Sequence, residues 1–449
     1  MPTMTAPTPL LNLIEPSALS DAALAIPGPA WMRPIREAAL ARFAELGIPT
    51  TAHEEWGFTS VAPLTRTPFR LADGRGPALS RGQIEAISLD VPAAARLVFV
   101  DGRLVPEFSS AAAIPAGITV LPLAEALNTR RDLIEPLVAR FAQTEQDAFA
   151  ALNTAFMHSG VFIHIPRERT LDKPIVLLNI ATTHDQPLLT HPRNLILADE
   201  GSEASIVEDY AAIGNGVYFT NAVTEIVAGA SARLTHTLVE RESPRAFNIS
   251  TLRAHQHTSS TLASHSVLLG GALVRNNIHL TLEGEGCDSL LNGLFIPREG
   301  QHMDNHMRVV HAKGHCTSRQ YYNGILDGTA RGVFSGRIVV AEGAQKTDAI
   351  QRSNNLLLSE SAQINTRPQL EIYADDVRCT HGATIGRLDQ DAIFYLRSRG
   401  LSEEAARGLL IYAFAGESLG RITSERLREQ LRPHVLAHLP QGARLREVL

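Results

Sequence analysis

Between Val161 and Leu388 the chain reads as short runs of β-branched and aliphatic residues broken by small turn clusters, and helical periodicity nearly vanishes. The clusters share a loose form, a Gly or Ser beside Ala followed by polar-apolar alternation. They fall at Gly201–Ile206, Gly229–Leu234, Gly284–Leu290, Gly328–Phe334, Gly343–Ile350 and Ser361–Ile364. Alternation sends every second side chain to one face of a strand, so this stretch predicts many short strands with recurrent turns. The absence of a strict period leaves a β-sandwich, a barrel or an irregular parallel β-helix. The length of the stretch favours the β-helix, because each coil packs only on its neighbours and the stack can grow without limit.

Helical patterns flank this stretch. Pro34 to Leu46 places Ile35, Ala39, Phe43 and Leu46 on one face, with proline in the first turn and Gly47 and Pro49 ending the helix. Pro63 to Gly82 reads as a long loop. Leu97–Val100, Asp101-Gly102 and Arg103–Val105 make a hairpin, since Asp-Gly supplies the turn that twisted strands need. A further amphipathic helix is expected over Glu145–Met157. After the strands, Asp389 caps Gln390–Arg399 with Gly400 behind it, Ser402 caps a helix led by Glu403 and Glu404, and a third helix runs from Ser424 to Arg432 before Pro433. Three units follow: a mixed, helix-leaning part over 1–160, a β-core over 161–388 and a helical part over 389–449.

Composition narrows the function. At 449 residues, 44% hydrophobic and 20% charged, the chain has ample apolar surface for folded cores. A net charge of −6 gives no basic footprint for nucleic acid. Lysine occurs only at Lys173, Lys313 and Lys346, and this arginine bias fits a GC-rich bacterial genome. Met1–Leu24 lacks a basic leader and carries Glu15 and Asp21, and no apolar run reaches membrane-spanning length, so a cytoplasmic protein is expected. Cys287, Cys316 and Cys379 are too few and too scattered for a disulfide framework.

The densest chemistry lies in Tyr373–Gly386. Cys379 and His381 are two apart, so in a strand both project from one face and form a soft pair suited to iron or zinc. Two ligands do not close a site, and on spacing alone a packed thiol beside a satisfied histidine explains the pair at least as well. His302, Asp304 and His306 alternate along one strand face, His311 and His315 follow, and His255, His257 and His265 form an upstream group. These histidines read as lining solvated sheet faces, and Cys287 beside Asp288 as a turn residue. Phosphate-loop, ferredoxin-cysteine, nucleophile-elbow and dinucleotide fingerprints are missing. A β-helix carbohydrate-active enzyme therefore lacks its carboxylate pair, and a purely structural scaffold stays open.

The run Pro368–Gly386, continued by Phe394–Gly400, resembles the signature of the SufB/SufD family, with further similarity at Gly324–Gly336, Glu342–Asp348, Asn355–Leu358, Leu152–Phe156, Lys173–Ile175, the Val100 hairpin and Trp56. The resemblance implies a mainly β protein, a right-handed parallel β-helix core flanked by N-terminal and C-terminal helical domains. It also implies a non-catalytic scaffold in bacterial iron-sulfur cluster assembly. SufB would pair through the end of the β-core, and the SufC ATPase would dock on the C-terminal helices; a homodimer is compatible with the isolated chain. A transient cluster or iron would form at the SufB-SufD junction, with His381, matched to the family histidine, and Cys379, matched to its neighbouring cysteine, as metal-site residues. Gly382 and Ala383 after His381 resemble the SufD side of the family. A flavin belongs at most to the complex as a whole, and no residue here is assigned to it.

Overall fold

From Glu203–Ile213 to Arg378–Gly386, consecutive strands alternate between two sheets, in a computed structural model that describes residues 10–11, 16–73, 76–111, 113–143, 146–440 and 442. Among the described residues one sheet has 12 strands and the other 10. Each coil contributes one strand to each sheet, and the coil-to-coil pairings are parallel. This is a parallel β-solenoid of about eight turns. Glu203, Arg233, Thr261, Asp288, Thr317, Asp348 and Arg378 occupy one lateral column. Their uneven spacing in the chain explains why no strict period was visible.

The interior is built by stacking like on like. Ile226, Ala254, Leu280, Val309 and Ile338 follow one another across five strands of the 12-stranded sheet and are all buried. In the other sheet large residues stack against glycines: Tyr322 is the partner of Gly293, and Phe295 that of Gly324. A Cβ at Gly293 would lie 2.1 Å from the Tyr322 ring, and one at Gly324 would lie 2.4 Å from the Phe295 ring. The glycines are therefore the volume that admits the rings.

Helices cover both outer faces. Leu427, Leu431 and Val435 of Glu425–His438, with Ile411 and Ala415 of Glu403–Leu419, bury Val239, Val267 and Leu294 of the 10-stranded sheet. Asn292 Nδ2 donates to the Ser418 carbonyl at 3.0 Å, and Ser418 Oγ donates to the Gly293 carbonyl at 3.0 Å. The caps form as expected: Asp389, Ser402 and Ser424 accept from backbone N–H groups of their own helices. The last helix does not stop at Pro433. It continues to His438 because Val435 and Leu436 are held in the buried layer, an apolar gain that outweighs one missing N–H.

On the 12-stranded sheet, Phe149 packs edge-on against Phe219 and beside Trp56. The helix carrying Phe149 spans Ala148–Phe156 and is buried on every side rather than amphipathic; its expected start at Glu145 lies outside the described residues, as does most of Met1–Glu15. Pro63–Gly82 is not one loop: Ala62–Arg66 is helical and Phe69–Leu71 is a strand whose Phe69 packs on Phe219 and Phe247. The hairpin is present, with Asp101 (φ 48°) and Gly102 (φ 77°) turning Ala95–Val100 into Arg103–Leu104. It extends the 10-stranded sheet beyond Ile175–Thr182. Among the described residues no helix is long and apolar enough to cross a membrane.

Candidate functional site

Cys379 and His381 sit on Arg378–Gly386, the terminal strand of the 10-stranded sheet. One edge of that strand pairs with Asp348–Leu357, and its other edge has no strand partner among the described residues. Register assigns the two side chains to the interior columns. Cys379 continues Ser289, Ser318 and Ala349, and His381 continues Leu291, Gln320 and Gln351. The earlier members of both columns are buried. His381 is exposed and Cys379 half-buried, because among the described residues no further coil lies above them. An interior position thus becomes a surface position only by being last in the stack.

The two residues differ in environment. Cys379 packs against a small apolar cluster that includes Ile338, Val340 and Ala349. Burial, with a smaller contribution from the Asp348 carboxylate, pushes its thiol above the ordinary range. It is protonated at neutral pH and must lose its proton to bind a metal. Beneath His381, Gln351 Nε2 donates to Gln320 Oε1 at 2.8 Å, while Gln351 Oε1 has no partner among the described residues. Across the interior, a Cβ on Gly336 would lie 2.2 Å from Gln351 Nε2, so glycine leaves the space this amide fills. Among the described residues no group of three or more His, Cys, Asp and Glu side chains converges to hold a metal.

On the rim strand and the segments flanking it in the chain, large apolar side chains are exposed: Tyr373 at 64%, Ile385 at 52% and Phe394 at 71%. Ile385 continues the column of Phe295 and Gly324 out of the core. The sequence motif contained these residues, but their exposure could be known only once the end of the stack was located.

The other histidines lie elsewhere and do not join the rim pair. His265, His306 and His311 are buried and His255 and His302 half-buried rather than lining solvated faces, while His257 and His315 are exposed. Asp304 accepts from Arg275 at 2.5 Å and from Thr59 at 2.6 Å, under the segment carrying Trp56, whose ring lies 3.8 Å from the Arg275 guanidinium carbon. His302 Nε2 contacts Thr59 Oγ1 at 2.9 Å. His265 is fully buried and contacts Asn292, His255 pairs with Glu283, and His311 pairs with Ser318. His315 turns a tight corner at φ 59°. The reason is tertiary: terminal segments cover faces that alternation alone leaves open. Cys287 and Cys316 are buried neighbours on successive coils, and hydrogen bonding from Cys316 holds the Cys287 thiol down to about 7.

Known proteins are similar to this chain along most of its length. The family description "SUF system FeS cluster assembly, SufBD core domain" matches residues 180–414, and "SufBD protein N-terminal region" matches residues 20–177. The iron-sulfur cluster assembly protein SufD of Escherichia coli (strain K12) is 35% identical over 407 residues, covering 90% of this chain and 92% of that protein. A SufBD family iron-sulfur cluster assembly protein of Synechocystis is 34% identical, covering 88% and 89%. SufD of Bacillus subtilis is 25% identical, covering 90% and 93%.

Proposed function

This chain belongs to the SufBD family of iron-sulfur cluster assembly proteins, on its SufD side, and we propose that it serves there as a non-catalytic cytoplasmic scaffold whose solenoid end docks on SufB and offers His381 and Cys379 to the forming cluster. The observation that carries this reading is the rim: a thiol and an imidazole on a terminal strand with one open edge, with Tyr373, Ile385 and Phe394 exposed on that strand and the segments flanking it in the chain. An open strand edge with exposed apolar side chains is a template for another chain. Two ligands from this chain leave the remaining coordination positions to SufB and to sulfide.

Iron or the nascent cluster is cargo here. Cys379 Sγ binds it only as thiolate, so the thiol proton leaves as the metal arrives. Gln351, in register below His381, is suited to accept a ring N–H and turn the other nitrogen outward, acting as a positioning residue.

SufC is assigned to the C-terminal helices. Gln390–Ser398 follows the rim strand directly and exposes Phe394 and Tyr395, while the next helix is fastened to the sheet through Ser418 and through Asn323, which donates to the Phe414 carbonyl at 3.1 Å. Nucleotide-driven movement of SufC subunits would act on the same sheet that ends in His381. Such coupling requires nucleotide to favour one arrangement of the junction.

The test is reconstitution with SufB and SufC, followed by iron titration and cluster maturation. His381→Ala should leave the complex assembled and cripple maturation, and Cys379→Ser should weaken iron uptake. Normal uptake and maturation in both variants would reduce the pair to packing residues and leave a structural scaffold.

A further inference from the structure

On the other sheet, a cavity of about 450 Å³ opens between the segment containing Leu46–Trp56, the start of the helix Ala148–Phe156 and the sheet's outer face. Its floor carries a basic column. Arg253, His279, Arg308 and Arg337 are in-register partners on four successive strands, the first three lining the cavity. Parallel strands stand about 4.8 Å apart, so these groups are close neighbours. Arg308 and Arg337 are adjacent in this column, and like charges paired this way destabilise a sheet unless counter-charge reaches them.

The nearby carboxylates are largely engaged. Asp304 holds Arg275 and Thr59, Glu54 pairs with Arg337 and Arg367, and Asp147 caps its helix through the Phe149 and Ala150 N–H groups. Glu55 lines the cavity at its exposed side. Arg308 is exposed and has no ion pair or hydrogen bond among the described residues.

A second observation bears on the same cavity. His306 lines the cavity and is only 7% exposed, yet its Nδ1 has no hydrogen-bond partner among the described residues. A buried polar atom without a partner carries a desolvation cost that a bound polar group can offset. Burial, then Arg275, His279, Arg337 and Arg367, depress the basicity of His306 well below the ordinary value; burial and Arg253 take His279 to about 4. Both rings are neutral donors in a cationic field.

We propose that this cavity binds a small multivalent oxyanion, a molecule bearing phosphate or carboxylate groups, held by the Arg308 guanidinium and a ring N–H of His306. A guanidinium offers a planar fork of donors to either group. The volume falls within the usual range of small-molecule sites, about 300–1,000 Å³, and exceeds what a single inorganic phosphate fills. The site stands apart from the rim and does not depend on the cluster-assembly reading.

The full-length chain should be titrated calorimetrically with pyrophosphate and, separately, with citrate. Saturable binding of at least one is expected, weakened about tenfold or more by Arg308→Ala and by His306→Phe, and strengthened by Glu55→Gln. Tighter binding of pyrophosphate assigns the phosphate class, and tighter binding of citrate the carboxylate class. Histidine NMR should show the His306 ring gaining basicity in the complex. Arg308 is exposed, so its variant tests binding without disturbing the core, and an unchanged melting temperature checks this. No saturable binding of either probe at millimolar concentration, or binding that folded Arg308→Ala retains in full, overturns the proposal.

Discussion

Gln351 is fully buried, and His381, its in-register partner on the next strand, is exposed. The two occupy the same column, and only the number of coils above them differs. The end of the stack is therefore where side chains of interior position meet solvent and a partner.

Because His381 is exposed on a terminal strand, His381→Ala should change unfolding free energy by no more than about 0.5 kcal/mol. Thermal melts of the isolated chain should overlay those of the wild type while cluster maturation in the complex is lost. A large drop in melting temperature would instead mark the ring as structural.

Ile385→Lys places a charge at the exposed apolar rim. Edge lysines discourage strand-to-strand pairing, so capture of SufB should fall sharply while SufC binding persists. Undiminished SufB capture would place that interface elsewhere.

Gly293→Ala drives a methyl group into the Tyr322 ring. Overpacking a dense interior costs about 1–3 kcal/mol, to be read from denaturant midpoints. Adding Tyr322→Phe should recover little, because the contact is with ring carbons rather than the hydroxyl.

Arg193 and Glu225 form a buried pair at 2.6 Å, and Arg193 Nη1 also donates to Asn153 and Thr154 of the buried helix. Arg193→Ala takes the guanidinium partner from a buried carboxylate, a loss of about 3–5 kcal/mol. Since Asn153 and Thr154 lose a donor, faster proteolysis within the N-terminal 160 residues is expected as well.

Glu240 and Glu242 are buried together. Burial first, then repulsion from Glu242, raises Glu240 to about 8; burial raises Glu242 to about 7. The native state therefore keeps protons that the unfolded chain releases above its usual carboxylate pKa, 4.5. Unfolding free energy from this pair is highest at low pH and falls as pH rises from about 4.5 to 8. Buried His191, lowered to about 3, works in the opposite direction below pH 6.5. The informative quantity is thus the difference between the wild-type and Glu240→Gln profiles. The variant should gain on the wild type as pH rises through this window; parallel profiles would show that Glu240 ionises normally.

Several features could be read along the chain because neighbouring residues specify them. Asp389, Ser402 and Ser424 satisfy N–H groups two or three positions ahead, and Asp101-Gly102 adopts its turn from its own backbone preferences. The solenoid texture was visible for the same reason, as alternation and turns are local. The i, i+2 spacing of Cys379 and His381 fixed that they share a face.

Which face, and whether anything lies above it, was beyond local information. Coils of unequal length bring Ala349 to Cys379 and Gln351 to His381, and that register comes from interior packing across many residues. The same distance in sequence hid the cover over His302, Asp304 and His306, the passage of the last helix through Pro433, and the burial of Ala148–Phe156 on all sides. Short-range hydrogen bonding and strand alternation are written into adjacent residues. Burial is a sum over contacts from remote segments, so the folded stack alone decided which end of the solenoid remained open.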